Sequence, residues 1–270
     1  MKNILRYTFR TVLILILLTG ILITFLLNPQ LVYAQKHEYR QFKVYSKLAY
    51  PEGYDKILDQ ALQLVQKSSI YNKDMKLDIF LNDGDGASVK FILKKILGNA
   101  FAWGYHNNVI LNGTTDSLLQ SVELNGQSRH MARLLAHEMI HCYQLKKLGL
   151  FKSKPLADIP IWKWEGYAEY IAFHSGSLSE ESIILNAFKK YEEEKDTDSL
   201  KKITVVIDGE ESFTGKDYYR FWLLVKYLSD INKYSFEDII KTNLREDDVY
   251  NEMKQWYKSQ PPVFSPPSGP

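Results

Sequence analysis

The chain has 270 residues, 45% hydrophobic and 24% charged, enough for one sizeable globular domain. Its net charge of +2 resides at the N-terminus: the first 34 residues hold three basic and no acidic side chains, which leaves 31 basic against 32 acidic residues in the remainder. No basic patch then points to nucleic acid, and the single cysteine, Cys142, excludes an intrachain disulfide. Stability has to come from the core, for which 18 Tyr, 13 Phe and 5 Trp supply large apolar groups.

Lys2, Arg6 and Arg10 precede an uncharged apolar run from Thr11 to Leu27, 17 residues long. This order reads as a signal peptide or an uncleaved signal anchor over residues 1–34. The length just spans a bilayer, and Val32-Tyr33-Ala34 offers a small-residue cleavage site before Gln35. In either case the basic flank stays cytoplasmic. The rest is extracytoplasmic, membrane-anchored or secreted. Loose alternation from Gln41 to Tyr50 predicts a first strand, broken by Pro51-Glu52-Gly53. Ile57, Leu58, Ala61, Leu62, Leu64 and Val65 predict a helix over Tyr54–Gln66. Lys76–Asn82 reads as a strand. Asn82-Asp83-Gly84-Asp85-Gly86 superficially matches a calcium loop. Aligning Gly86 with that loop's glycine, however, puts Leu81 and Ile92 at the first and last ligand positions, which excludes it. Ser88–Leu97 reads as a short helix, and Phe101–Tyr105 and Asn108–Leu111 as two strands around His106-Asn107.

A long helix follows from about Ser128 to Leu148, stopping at Gly149. It contains His137-Glu138-Met139-Ile140-His141. Histidines four apart share one helix face and can reach one metal ion, with Glu138 beside them to take a proton from water. A second helix, Trp162–Phe173, carries Trp164-Glu165-Gly166-Tyr167-Ala168-Glu169-Tyr170, which offers a carboxylate as third ligand. Two His, one carboxylate and a water make an open, catalytic type of zinc site. Cys142 follows His141 and points roughly 100° away from it, so it reads as a packing residue. The plain alternative is two hydrogen-bonded core histidines on the stripe His130, Leu134, His137, His141, Leu145, Leu148. That reading leaves Glu138 and the distant second motif unexplained. Further helices are expected over Ser179–Tyr191, Asp217–Ser229 and Phe236–Lys241, with a charged loop or frayed helix end at Glu192–Asp198 and a strand at Ile203–Ile207. The last twelve residues, 259–270, hold five prolines and read as a disordered tail.

HEMIH followed by WEGYAEY resembles the gluzincin zinc metallopeptidases, and most of all their small peptidase-MA-like members. The resemblance is specific over 129–170 and continues more weakly through Asp217–Leu228. It implies zinc held by His137, His141 and Glu165, with Glu138 as general base. It also implies Glu169, one helical turn after Glu165, hydrogen-bonded to His137, as a ligating imidazole requires. Tyr218 takes the position from which such enzymes stabilise an oxyanion, with Tyr219 as the alternative; an aromatic stripe that only packs the helix is the plain reading of both. Ala102-Trp103-Gly104-Tyr105 matches an edge strand that binds substrate backbone. Metzincins fit worse, since Gln144 and Lys147 occupy their downstream Gly and His positions. His106, His130 and His174 are spare metal candidates. The expected architecture is α+β over 35–258: a mixed α/β N-terminal lobe to about 148, then a helical C-terminal lobe. The expected function is a zinc-dependent endopeptidase acting on peptide or protein outside the cytoplasm. The alternatives are a non-catalytic zinc-containing surface binding module, and a hydrolase of a non-peptide envelope amide or ester.

Overall fold

The computed structural model describes residues 2–82, 87–116, 118, 120–174, 180–196, 202–207 and 210–260. The architecture is α+β, behind an N-terminal apolar helix. That helix, α1 (Lys2–Leu27), is exposed along its apolar run and is long and apolar enough to cross a membrane.

Five strands form the central sheet: β1 (Gln35–Tyr39), β2 (Phe42–Ser46), β3 (Leu77–Phe80), β4 (Ala102–Tyr105) and β5 (Asn108–Leu111). Their spatial order is β1-β2-β3-β5-β4. The two outer pairs are antiparallel and the inner pairs parallel. The parallel pairs need crossovers, supplied by α2 (Tyr54–Val65) and α3 (Ala87–Leu97). Strand side chains alternate between faces, so Val44, Ile79 and Val109 enter the main core while Tyr45, Phe80 and Ile110 enter a second one. In α2, Tyr54, Ile57, Leu58, Ala61, Leu62 and Val65 recur at helical spacing and all are buried in the main core. On the opposite face of the sheet, Val89 and Leu93 of α3 close the second core together with Leu26, Val32 and Tyr33.

A meander follows, β6 (Thr114–Asp116), β7 (Ser121–Leu124) and β8 (Gln127–His130), and leads directly into α4 (Met131–Leu148). The chain continues through α5 (Ile161–Ala172), α6 (Glu180–Glu194), the hairpin β9 (Lys202–Ile207) and β10 (Glu210–Gly215), α7 (Lys216–Lys226), α8 (Phe236–Lys241) and α9 (Glu246–Ser259). A π-helical turn, Tyr227–Ile231, extends α7. The main core runs from Phe42 to Met253, so both expected lobes share it.

Several sequence expectations are corrected. The strand expected over Gln41–Tyr50 is the second arm of a hairpin that turns at Arg40, where φ is 49°, and it ends at Ser46. Ser128 is not in the helix that carries the two histidines: 127–130 pairs with β7, and α4 begins at Met131. β6–β8, β10 and α9 were not expected. Ser259 belongs to α9, whereas 261–270 of the expected tail and 83–86 of the rejected calcium loop lie outside the described residues.

Candidate metal centre

Two crossing helices build the site. α4 presents His137 and His141 one turn apart on one face, and α5 presents Glu165 opposite them. The two Nε2 atoms lie 3.1 Å apart. Glu165 Oε2 lies 3.3 Å from His137 Nε2 and 3.4 Å from His141 Nε2. A tetrahedral ion with bonds of about 2.0–2.1 Å separates its ligand atoms by about 3.3 Å. The three atoms are therefore at ligand spacing for a single metal ion, and they form the one such group of His, Cys, Asp or Glu among the described residues.

Charge balance points the same way. Burial alone would strip the proton from His141, but the Glu165 carboxylate outweighs it and holds the imidazole up to about 9. Burial likewise pushes the Glu165 carboxyl up, while His141 and His137 carry it well below the usual carboxylate range. A cation bound at these atoms would compete with a proton for the His141 nitrogen.

The surroundings orient the ligands. His141 Nδ1 lies 2.8 Å from Gln144 Oε1, which leaves Nε2 facing the ligand cluster when Nδ1 donates. Gln144 Nε2 donates in turn to the Trp164 carbonyl at 3.0 Å. Gln144 is fully buried and so ties the histidine helix to the residue preceding Glu165. Sequence reasoning assigned Gln144 no role at the site; its spacing three residues after His141, on a shared helix face, was the available signal. The Trp164 ring stacks on His141 with centroids 5.6 Å apart.

Glu169 departs from expectation. Its Oε1 lies 3.7 Å from His137 Nδ1 and 3.7 Å from Arg129 Nη1. Both distances lie beyond hydrogen-bond reach, and the Arg129 contact is an ion pair. The expected Glu169–His137 hydrogen bond is replaced by a buried carboxylate shared between His137 and Arg129, and neither His137 Nδ1 nor Glu169 Oε1 has a hydrogen-bond partner among the described residues.

Glu138 is buried beside the ligand triangle, and its carboxylate accepts a hydrogen bond from the Gly104 backbone amide of β4. Burial raises its carboxyl; the two histidines and a hydrogen bond from the Gly104 backbone amide oppose that shift. β4 is an outer strand of the sheet and packs along α4 so closely that a Cβ at Gly104 would fall on the Glu138 carbonyl oxygen. Gly104 thus admits the edge strand to the site, a close approach that only glycine permits.

α7 supplies the remaining expected group. Tyr218 is half-buried; burial raises its hydroxyl, followed by the negative charges of Glu165, Glu169 and Glu138. Tyr219 is a core residue whose hydroxyl donates to the Ala187 carbonyl at 3.1 Å. Gly166 makes this packing possible, since a Cβ there would sit 2.6 Å from the Phe221 carbonyl oxygen. Of the spare histidines, His130 lines a small cavity with Arg129, Arg133, His137 and Glu169. His106 is exposed at the β4–β5 turn and His174 lies beyond α5, edge-on to Tyr170; neither joins the ligand group. Cys142 is buried and its thiol, pushed up by burial, donates toward the Asn108 carbonyl at 3.5 Å rather than toward the ligands. Compared with known proteins, the chain matches no family model, and no curated protein matches it.

Proposed function

We propose that the chain is a zinc-dependent peptidase anchored at the membrane, with its site outside the cytoplasm. The observation that carries this reading is the 3.1–3.4 Å triangle of His137, His141 and Glu165 with a buried Glu138 beside it. Two imidazoles and one carboxylate are the donor set of an open zinc site, which leaves a position for water or substrate. When bound, zinc supplies Lewis acidity that makes water a nucleophile near neutral pH and polarises a carbonyl. Glu138 takes the proton from the attacking water and passes it to the leaving amine. Its upward shift suits a base that must hold and then release that proton. Tyr218 would donate to a developing oxyanion. β4 has β5 on one side only, and its outer side is where an extended peptide would add as a further strand.

The anchor reading rests on packing. Leu26, Val32 and Tyr33 close the second core, and the Tyr33 and Phe80 rings lie 5.0 Å apart. Cleavage after Ala34 would remove all three side chains from the folded domain. Retention also leaves Lys2, Arg6 and Arg10 cytoplasmic.

The purified full chain, incubated with a mixed peptide library, should cleave peptides, and a chelator should stop it. Glu138→Gln should keep the metal and lose turnover. Tyr218→Phe should lower turnover by roughly 10²–10³-fold with metal retained, as for the loss of one oxyanion donor. Full turnover in Glu138→Gln would refute the mechanism. Metal binding without cleavage of any peptide would favour a binding module instead.

A further inference from the structure

The end of α1 is fixed to the domain. The last carbonyls of a helix have no partners within it. Here Tyr105 donates to the Leu26 carbonyl at 2.7 Å and Asn108 to the Leu27 carbonyl at 3.5 Å, both from the β4–β5 hairpin. The connection to β1 is short and holds a 3-10 turn, Pro29–Val32, with Pro29 buried. A domain held in this way cannot drift from the point where α1 leaves the bilayer.

Around that point lies a cavity of about 1090 Å³, walled on one side by Ile23, Leu26 and Leu27 of α1 and on the other by Ile96 and Leu150. Ile23 lies four residues before Leu27, about 6 Å deeper along the helix. The cavity therefore reaches below the level at which α1 ends. Ile96 is 59% exposed, Leu150 55% and the adjoining Phe151 84%. Isolated exposed apolar residues need no explanation, but a cluster beside an apolar helix end does. Lysines flank it: Lys146 and Lys154 line the cavity and Lys152 is exposed beside Phe151. Asp74 is the single acidic residue in the lining.

We infer that the face formed by the Leu150–Phe151 turn and the end of α3 lies on the bilayer around α1. Its apolar side chains would enter the interface, while Lys146, Lys152 and Lys154 would meet anionic phospholipid headgroups. Interfacial anchoring of this kind combines buried apolar area with attraction to anionic lipid. The inference rests on α1 being retained in the membrane; it does not depend on the metal.

The test uses the full chain in phospholipid nanodiscs that carry nitroxide-labelled acyl chains. Phe151→Cys, Lys189→Cys on α6 and Leu15→Cys in α1 are each labelled with a fluorophore; native Cys142 is fully buried. The label at 151 should lose emission to the nitroxide well beyond the label at 189. The loss should deepen when phosphatidylglycerol is mixed into phosphatidylcholine, and Lys146→Glu, Lys152→Glu and Lys154→Glu together should abolish that deepening. Quenching at 15 with no difference between 151 and 189 would overturn the docking and leave the anchor standing. No quenching at 15 would overturn the anchor as well. Deepening that persists in the triple variant would overturn the role of the lysines.

Discussion

Gln144 ties the two helices of the candidate metal centre together without belonging to the ligand group. It holds His141 Nδ1 at 2.8 Å and reaches the Trp164 carbonyl at 3.0 Å, so it sets the ring of one ligand against the helix of another. Gln144→Ala should lower metal affinity by roughly 10–100-fold, the usual cost of losing such a partner, while the fold persists. A metal-competition titration in which the variant matches the parent would remove Gln144 from the site. The charge on His141 makes a second prediction. Its pKa is raised in the folded, metal-free chain, so its stabilising contribution is complete below the unfolded value of about 6.5. That contribution is lost as pH rises through about 9. Metal binding needs the same nitrogen free of its proton. The melting temperature of the metal-loaded chain should therefore pull further ahead of the chelated chain as pH rises from about 6.5 to 9. A constant margin over that range would mean that no proton leaves His141 on binding.

At the scale of elements, two glycines govern how the site is assembled. Gly104 lets β4 close against α4 at Glu138, and Gly166 lets α7 close against α5 beside Glu165. Gly104→Ala should cost about 1–3 kcal/mol, the range for overpacking a filled contact, and should reduce activity further by moving the edge strand off Glu138. Denaturant unfolding would measure the first effect; a variant as stable as the parent would show that the close approach is not needed. The elements that reasoning from sequence anticipated are those with strong periodicity. The apolar spacing in α2 and the paired motifs on α4 and α5 were legible because burial dictates them. β1 was missed because Gln35–Tyr39 is a mostly polar, exposed edge strand with no alternation to read. β6–β8 left a usable signal: Asn125-Gly126, with φ of 53° and 71°, is a tight hairpin turn between short runs. α9 is amphipathic but rests on only two buried residues, Val249 and Met253, too thin a stripe to stand out. The Glu169 contact could not be read from spacing, since a helical turn specifies the face and not the last ångström between carboxylate and ring.

For the whole molecule, the continuous core explains how distant segments share one centre. Strand β4, helices α4, α5 and α7 come from residues 102 to 226, and the same core packs α4, α5 and α7 together. The N-terminal apolar helix joins this body through the second core and the β4–β5 hairpin. Elemental analysis of the purified full chain decides whether this centre binds zinc. The chain should carry about one zinc ion, because three protein ligands and a water complete the site. His137→Ala and His141→Ala should each lose it, since two remaining ligands hold zinc poorly. An unmutated, folded chain that takes up no zinc when zinc is supplied, or variants that keep their zinc without His137 or His141, would rule out a zinc centre at these residues.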